Sequence, residues 1–302
     1  MKARGSQIFQ VVSLVLFYTI CYGNPRAGFF LPDSVTELTI KFQAVRNLIV
    51  LPVTLNDSIT VNLILDTGCR NLLLFGKKFQ ELLNAQSGRT IQFSGLGEGQ
   101  PVNATLSLNN KASIGSIVGH EIPVVVVPQK NIFDGLRNIH GIIGYDIFLK
   151  FEIEINSREQ TITFRPAASV DPRENFFVVP LDIRDSKPVM PAAEFFGSND
   201  VAKFDVIIDT GSSLGFLLQT TDASVFSNGV KPSVVGRGLN GNITGYQTRL
   251  KKMITGKLVI VQPPVAVSES SQGDRASIGM DILKNYIVIL NYCKAYACFK
   301  PV

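Results

Sequence analysis

Apolar and polar residues alternate in short bursts along most of this chain. Runs rich in Val, Ile and Phe occupy 60–65, 123–127, 176–181, 204–208, 258–261 and 286–290, and Gly, Pro, Asn and Asp separate them. Short runs of this composition bounded by breakers predict strands, because β-branched and aromatic side chains suit a pleated, half-buried surface. Little room is left for long helices, so the pattern predicts an all-β sandwich or barrel with a few short helices. The stretch 8–20 differs. It is apolar apart from Gln10 and Ser13, follows Lys2 and Arg4, and precedes Cys21-Tyr22-Gly23. That is the layout of a secretory signal cleaved near Gly23. It falls short of the roughly 20 residues a membrane-spanning helix needs, so export is expected. Anchoring stays open, although the bulky Ile20 argues against lipidation of Cys21.

The chain also repeats itself. Ile64-Leu65-Asp66-Thr67-Gly68 recurs as Ile207-Ile208-Asp209-Thr210-Gly211, and Ile142-Ile143-Gly144-Tyr145-Asp146-Ile147 is matched by Ser277-Ile278-Gly279-Met280-Asp281-Ile282. Beyond these, 151–166 runs in register with 286–301. Each tail has an apolar run to an asparagine (Asn156, Asn291), a polar turn, a second run, and a basic residue before proline (Arg165-Pro166, Lys300-Pro301). Between the landmarks each copy carries a glycine-rich turn, Gly95-Leu96-Gly97-Glu98-Gly99 and then Gly236-Arg237-Gly238-Leu239-Asn240-Gly241. The same parts in the same order predict two copies of one β-rich unit, joined by a linker at 166–172. The expected division is a signal at 1–23, a first lobe at 24–170 and a second at 171–302. Asp146 and Asp281, each after a glycine and before an apolar turn, suit helix N-caps.

The repeated Asp-Thr-Gly carries the candidate chemistry. A strand that runs straight into Asp holds a carboxylate rigidly at its end. The glycine that follows lets backbone N–H groups approach that carboxylate, and the threonine hydroxyl can donate to backbone of the other copy. A single such triplet is an ordinary turn. Two, each after an apolar strand and each ahead of a glycine-rich turn, are not.

On these residues the chain resembles a pepsin-like or retropepsin-like aspartic protease in its two-lobed, single-chain form, over about 38–302. The resemblance implies two β-barrel-like lobes related by a pseudo-two-fold axis, with Asp66 and Asp209 meeting between them as a catalytic pair. It implies that Gly144 and Gly279 pack beside the catalytic loops, that Thr67, Gly68, Cys69, Thr210, Gly211 and Ser212 support the pair, and that Gly95, Leu96, Gly97, Glu98 and Gly99 form a flap over the substrate. The expected activity is endopeptidase, with a catalytically silent peptide- or glycan-binding module as the alternative. The expected partner is an extended peptide or protein, with no organic cofactor or metal, and the expected state is a monomer. Two departures stand out. The flap lacks the tyrosine of the pepsin type, and Cys69 stands where Ser212 stands in the second copy. Because a thiol donates more weakly than a hydroxyl, Asp209 is expected to be the more readily ionised carboxyl and Asp66 the protonated one.

Composition narrows the alternatives. With 45% hydrophobic and 18% charged residues the chain is not disordered. The histidines are His120 and His140 alone, and no CxxC occurs, so a His- or Cys-ligated zinc site and a Ser-His-Asp triad have little to draw on. The net charge of +5 comes without a Lys/Arg run, so no nucleic-acid footprint is present. Cys293 and Cys298 flank a turn in the last hairpin, and export predicts a disulfide between them.

Overall fold

The computed structural model describes residues 27–302, apart from 84–87, 94–98, 129–135, 137, 197–200, 227–228, 230, 239 and 271–272. Among the described residues strands dominate, and the three α-helices, Lys78–Leu82, Tyr145–Phe148 and Met280–Leu283, are each a turn or so long. The strands form three sheets. One of nine strands draws only on 28–143, one of ten draws only on 182–278, and an antiparallel sheet of six takes strands from both copies.

The two large sheets share one local plan. In the first, Ile59–Leu65 lies between Leu48–Leu55, antiparallel to it, and Gly141–Ile143, parallel to it. In the second, Val201–Ile208 lies between Lys187–Phe196, antiparallel, and Arg275–Ile278, parallel. Leu63 and Leu65 are fully buried on one face of their strand and Ile64 on the other; in the second copy Val206 and Ile208 are fully buried and Ile207 is half-buried, which explains why both runs are apolar on both faces near their ends.

The repeated tails become the floor of the molecule. Phe151–Asn156 pairs with Thr161–Pro166, and Tyr286–Asn291 pairs with Tyr296–Pro301, two hairpins of matching layout. The hairpins then lie edge to edge, with Ile153 opposite Leu290 and Ile155 opposite Val288. Phe151, Ile153, Phe164, Val288, Leu290 and Phe299 are buried in a core that continues into both lobes. Each such side chain stabilises the fold by about 1.5–3 kcal/mol. The expected linker starts as a short 3₁₀ turn, Ala167–Ser169, tied down where Asn291 Nδ2 donates to the Ala167 carbonyl at 2.9 Å. Just beyond it, Arg173 reaches the buried Glu152 at 3.4 Å and also pairs with Glu154.

Two expectations are corrected here. The helices after Gly144 and Gly279 have those glycines at their N-cap positions and no side-chain cap bond. Carbonyls of the Asp-Thr-Gly loops take the first helical N–H groups instead, Tyr145 N–H donating to Cys69 O at 2.9 Å and Met280 N–H to Ser212 O at 2.8 Å. Asp281 is therefore free to bind Lys284 at 2.7 Å and to accept from Asn47 of the other lobe at 3.4 Å. The second correction concerns Cys293 and Cys298, which are free thiols. Cys293 is exposed in the turn, while Cys298 is buried two residues into the strand, opposite Ile289. The ladder offers Cys298 an isoleucine as its cross-strand neighbour, so no bridge forms.

Candidate active site

Both Asp-Thr-Gly loops begin where a central strand ends. The parallel ladder pairs Ile142 with Ile64 and Ile143 with Leu65, and the next bond runs from Asp66 N–H to Ile143 O at 2.9 Å. In the second lobe Ile208 pairs with Ile278, and Asp209 N–H donates to Ile278 O at 2.9 Å. The second repeated motif thus fixes the backbone of the first. Gly144 shows how close the fit is, since a Cβ there would lie 2.0 Å from Cys69 O. The corresponding Cβ on Gly279 would lie 2.5 Å from Leu214 O and 2.8 Å from Ser212 O.

The two loops face each other through their threonines, both fully buried. Thr67 Oγ1 donates to Ile208 O at 2.6 Å and accepts from Thr210 N–H at 2.9 Å. Thr210 Oγ1 donates to Leu65 O at 2.8 Å and accepts from Thr67 N–H at 3.1 Å. Each hydroxyl therefore crosses to the other copy's backbone, as the sequence predicted, and the lobes are locked at the point where the aspartates emerge.

This arrangement brings the carboxyls together. Gly68 N–H donates to Asp66 Oδ1 at 2.6 Å, and Gly211 N–H donates to Asp209 Oδ1 at 3.0 Å. A Cβ on Gly68 would meet Asp66 Oδ1 at 3.0 Å and Asp209 Oδ1 at 3.5 Å, and one on Gly211 would sit 2.3 Å from Asp66 Cγ. At 211 only glycine leaves room for the pair, and at 68 a larger residue would crowd it. Burial pushes the Asp66 carboxyl well above the usual carboxylate range, and the neighbouring Asp209 pushes it further; the Gly68 N–H and the charge of Lys187 pull against them. Burial raises Asp209 too, opposed by the Gly211 N–H, by Lys187 and by a hydrogen bond from Asp66. Two carboxyls so placed cannot both ionise cheaply, and they titrate as a pair. Of the two, only Asp66 is also pushed up by its neighbour's charge, while the hydrogen bond from Asp66 pulls Asp209 down.

Cys69 and Ser212 contribute differently from what was expected. Cys69 Sγ donates to Asn71 O at 3.2 Å, and Ser212 Oγ accepts from Leu214 N–H at 3.3 Å. Their support to the dyad is through the backbone, where the N–H of each donates to its own loop's Asp carbonyl at 3.3 Å. The asymmetry of the pair therefore does not come from a thiol in place of a hydroxyl. Cys69→Ser is expected to leave the acidic limb of a pH–activity profile unmoved; a displacement of half a unit or more in kcat/KM profiles of the two proteins would refute this reading of the thiol.

Of the expected flap, Gly95, Leu96, Gly97 and Glu98 lie outside the described residues. Gly99 reaches across the lobes, its N–H donating to Asn240 O at 2.5 Å and its carbonyl accepting from Asn240 Nδ2 at 3.1 Å. Asn240 belongs to the second glycine-rich turn, so the two turns touch, which the sequence did not reveal. Two further residues went unnoticed in the sequence. Tyr292 stacks on Phe148 with ring centroids 5.2 Å apart and donates weakly to Thr67 O at 3.5 Å. Lys187 acts on both carboxyls from the strand beside Asp209.

The aspartyl protease family profile matches residues 51–147 and 193–282, one segment in each copy, and together these cover more than half of the chain. No curated protein matches it. Each matched segment contains one Asp-Thr-Gly and the apolar-Gly motif that packs beside it, and on that basis the chain belongs to the aspartyl protease family.

Proposed function

We propose that the protein is an aspartic endopeptidase in which Asp66 and Asp209 share one proton and activate a water molecule between them. The observation that carries this reading is the pair of half-buried carboxyls, each held by the N–H of its own glycine and joined by the Thr67–Thr210 lock. In the singly protonated state the ionised carboxyl, Asp209, removes a proton from the water. The protonated carboxyl, Asp66, donates to the scissile carbonyl oxygen. The water oxygen adds to the carbonyl carbon and gives a tetrahedral diol, with no covalent bond to the protein. Collapse of the diol breaks the C–N bond: Asp209 gives the proton it took from water to the amine nitrogen, a diol hydroxyl returns a proton to Asp66 as the carboxyl product forms, and the pair again holds one proton. The substrate lies extended, its backbone bonding to the edges of the cleft and alternate side chains entering subsites. Residues 1–23 direct export, and the two lobes of a single chain complete the site without a second copy.

Digestion of a mixed peptide library from acid to neutral pH, read by mass spectrometry, tests the activity. Cleavage blocked by a statine-type transition-state mimic is the expected result. Peptide binding with no cleavage at any pH would replace the endopeptidase with a silent binding module.

A further inference from the structure

The two halves of the site share their strand layout but differ in charge beside the aspartates. In the first lobe a hairpin joins Gln43–Val45 to Leu48–Leu55, with Val45 opposite Leu48 and with Arg46 and Asn47 in the turn at positive φ. In the second lobe a hairpin joins Asp182–Arg184 to Lys187–Phe196, with Arg184 opposite Lys187 and with Asp185 and Ser186 in the turn at positive φ. The next ladder is also equivalent: Val50 pairs with Ile64, and Val189 pairs with Ile207. Continuing each antiparallel register to the end of the central strand brings Leu48 level with Asp66 and Lys187 level with Asp209. Leu48 is buried in an apolar cluster with Val50, Ile64 and Ile139. Lys187 puts a cation at the equivalent place.

We propose that Lys187 is a positioning residue for the aspartate pair: delivered beside Asp209 by the Asp185–Ser186 turn, its ammonium favours the singly ionised dyad over the fully protonated one. The catalytic consequence rests on the endopeptidase reading; the electrostatic one does not. The other ionisable groups around the pair do not duplicate this cation. Arg70, on the Asp66 loop, is exposed and faces Asp185 at the hairpin tip at 3.8 Å. Arg184, the cross-strand partner of Lys187, is engaged by Asp182 and Asp205. Burial keeps the Tyr292 hydroxyl and the Cys69 thiol neutral, and Asp146 beyond them is raised by burial. Lys187 is half-buried and acts on both carboxyls, so low-dielectric surroundings strengthen its effect where bulk solvent would screen it.

The sign follows from charge. A cation favours the ionised form of each carboxyl, so removing it delays both proton losses of the pair to higher pH. The test compares the unmutated protein with Lys187→Met and Lys187→Arg by two measurements. One is a ¹³C carboxyl NMR titration of aspartate-labelled protein, the dyad signals being those that vanish in Asp66→Asn and Asp209→Asn. The other is the pH dependence of kcat/KM on one peptide. In Lys187→Met both dyad titration steps, and both limbs of the activity profile, are expected to move upward by about one pH unit, while Lys187→Arg restores the parent values. Lys187→Gln, neutral but polar, gives the same readout if the methionine variant does not fold. The titration requires no turnover. A protein that cuts no peptide would therefore overturn the endopeptidase reading while leaving Lys187 to be judged by NMR. Unmoved or downward steps in the neutral variants, or an arginine variant that shifts as far as the methionine one, would overturn the role of the charge.

Discussion

Asp66→Asn and Asp209→Asn are each expected to lower kcat for peptide cleavage by at least about 10³-fold, since each removes one of the two proton-transfer partners from a single step. The amide oxygen can still accept from Gly68 or Gly211 N–H, so the loop geometry survives. Stability should move the opposite way. Both carboxyls are raised by burial in the folded protein, Asp66 also by its like-charged neighbour. Above about pH 4, where an unfolded carboxyl ionises, the folded dyad holds more protons than the unfolded chain. Stability of the parent therefore falls as pH rises from there through the raised folded values. Each unit of elevation costs about 1.4 kcal/mol once that window is passed. Either asparagine variant relieves the like-charge part and one desolvated carboxylate, so it should melt above the parent near pH 7, and the gap should close at pH 4 and below. Kinetics and thermal melts across pH check both halves. Cleavage within tenfold of the parent, or a lower melting temperature at neutral pH, would contradict the shared-proton pair.

The aspartates were legible because their motif occurs twice with its surroundings, and local spacing suffices to recognise it. The crossing threonine bonds were legible for the same reason: a buried hydroxyl beside a chain crossing has few acceptors other than the opposite backbone. What spacing along the chain does not contain is register between strands. Cys293 and Cys298 are close in sequence and read as facing positions, yet the turn spans 292–295 and Ile289 is the residue opposite Cys298. Lys187 belongs to no repeated motif. Its relation to Asp209 exists only through the Val189–Ile207 pairing. The contact between Gly99 and Asn240 joins the two glycine-rich turns across the lobes, a distance that no local pattern encodes. Side-chain direction was the remaining gap. The order of residues places Cys69 after Gly68, but the nearby Asn71 carbonyl, not the chain order, decides where the thiol points.

Thr67→Val and Thr210→Val are expected to produce the largest loss of stability among single substitutions that preserve side-chain shape. Valine matches threonine in volume but lacks the hydroxyl. In Thr67→Val the Ile208 carbonyl loses its donor and the Thr210 N–H loses its acceptor, in a region from which water is excluded. In Thr210→Val the Leu65 carbonyl and the Thr67 N–H are stranded in the same way. Each buried group left unpaired costs about 1–3 kcal/mol, so either variant should lose about 2–5 kcal/mol. Thr67→Ser and Thr210→Ser keep the hydroxyl and should lose far less. The double valine variant should cost less than the sum of the two singles, because the first change already loosens the junction that the second would break. Denaturant unfolding of the four single variants and the double measures these differences. Valine variants within about 0.5 kcal/mol of the parent would mean that the lobes are held by the shared six-stranded floor alone. Serine variants as unstable as valine would assign the loss to the missing methyl group and not to the crossed hydrogen bonds.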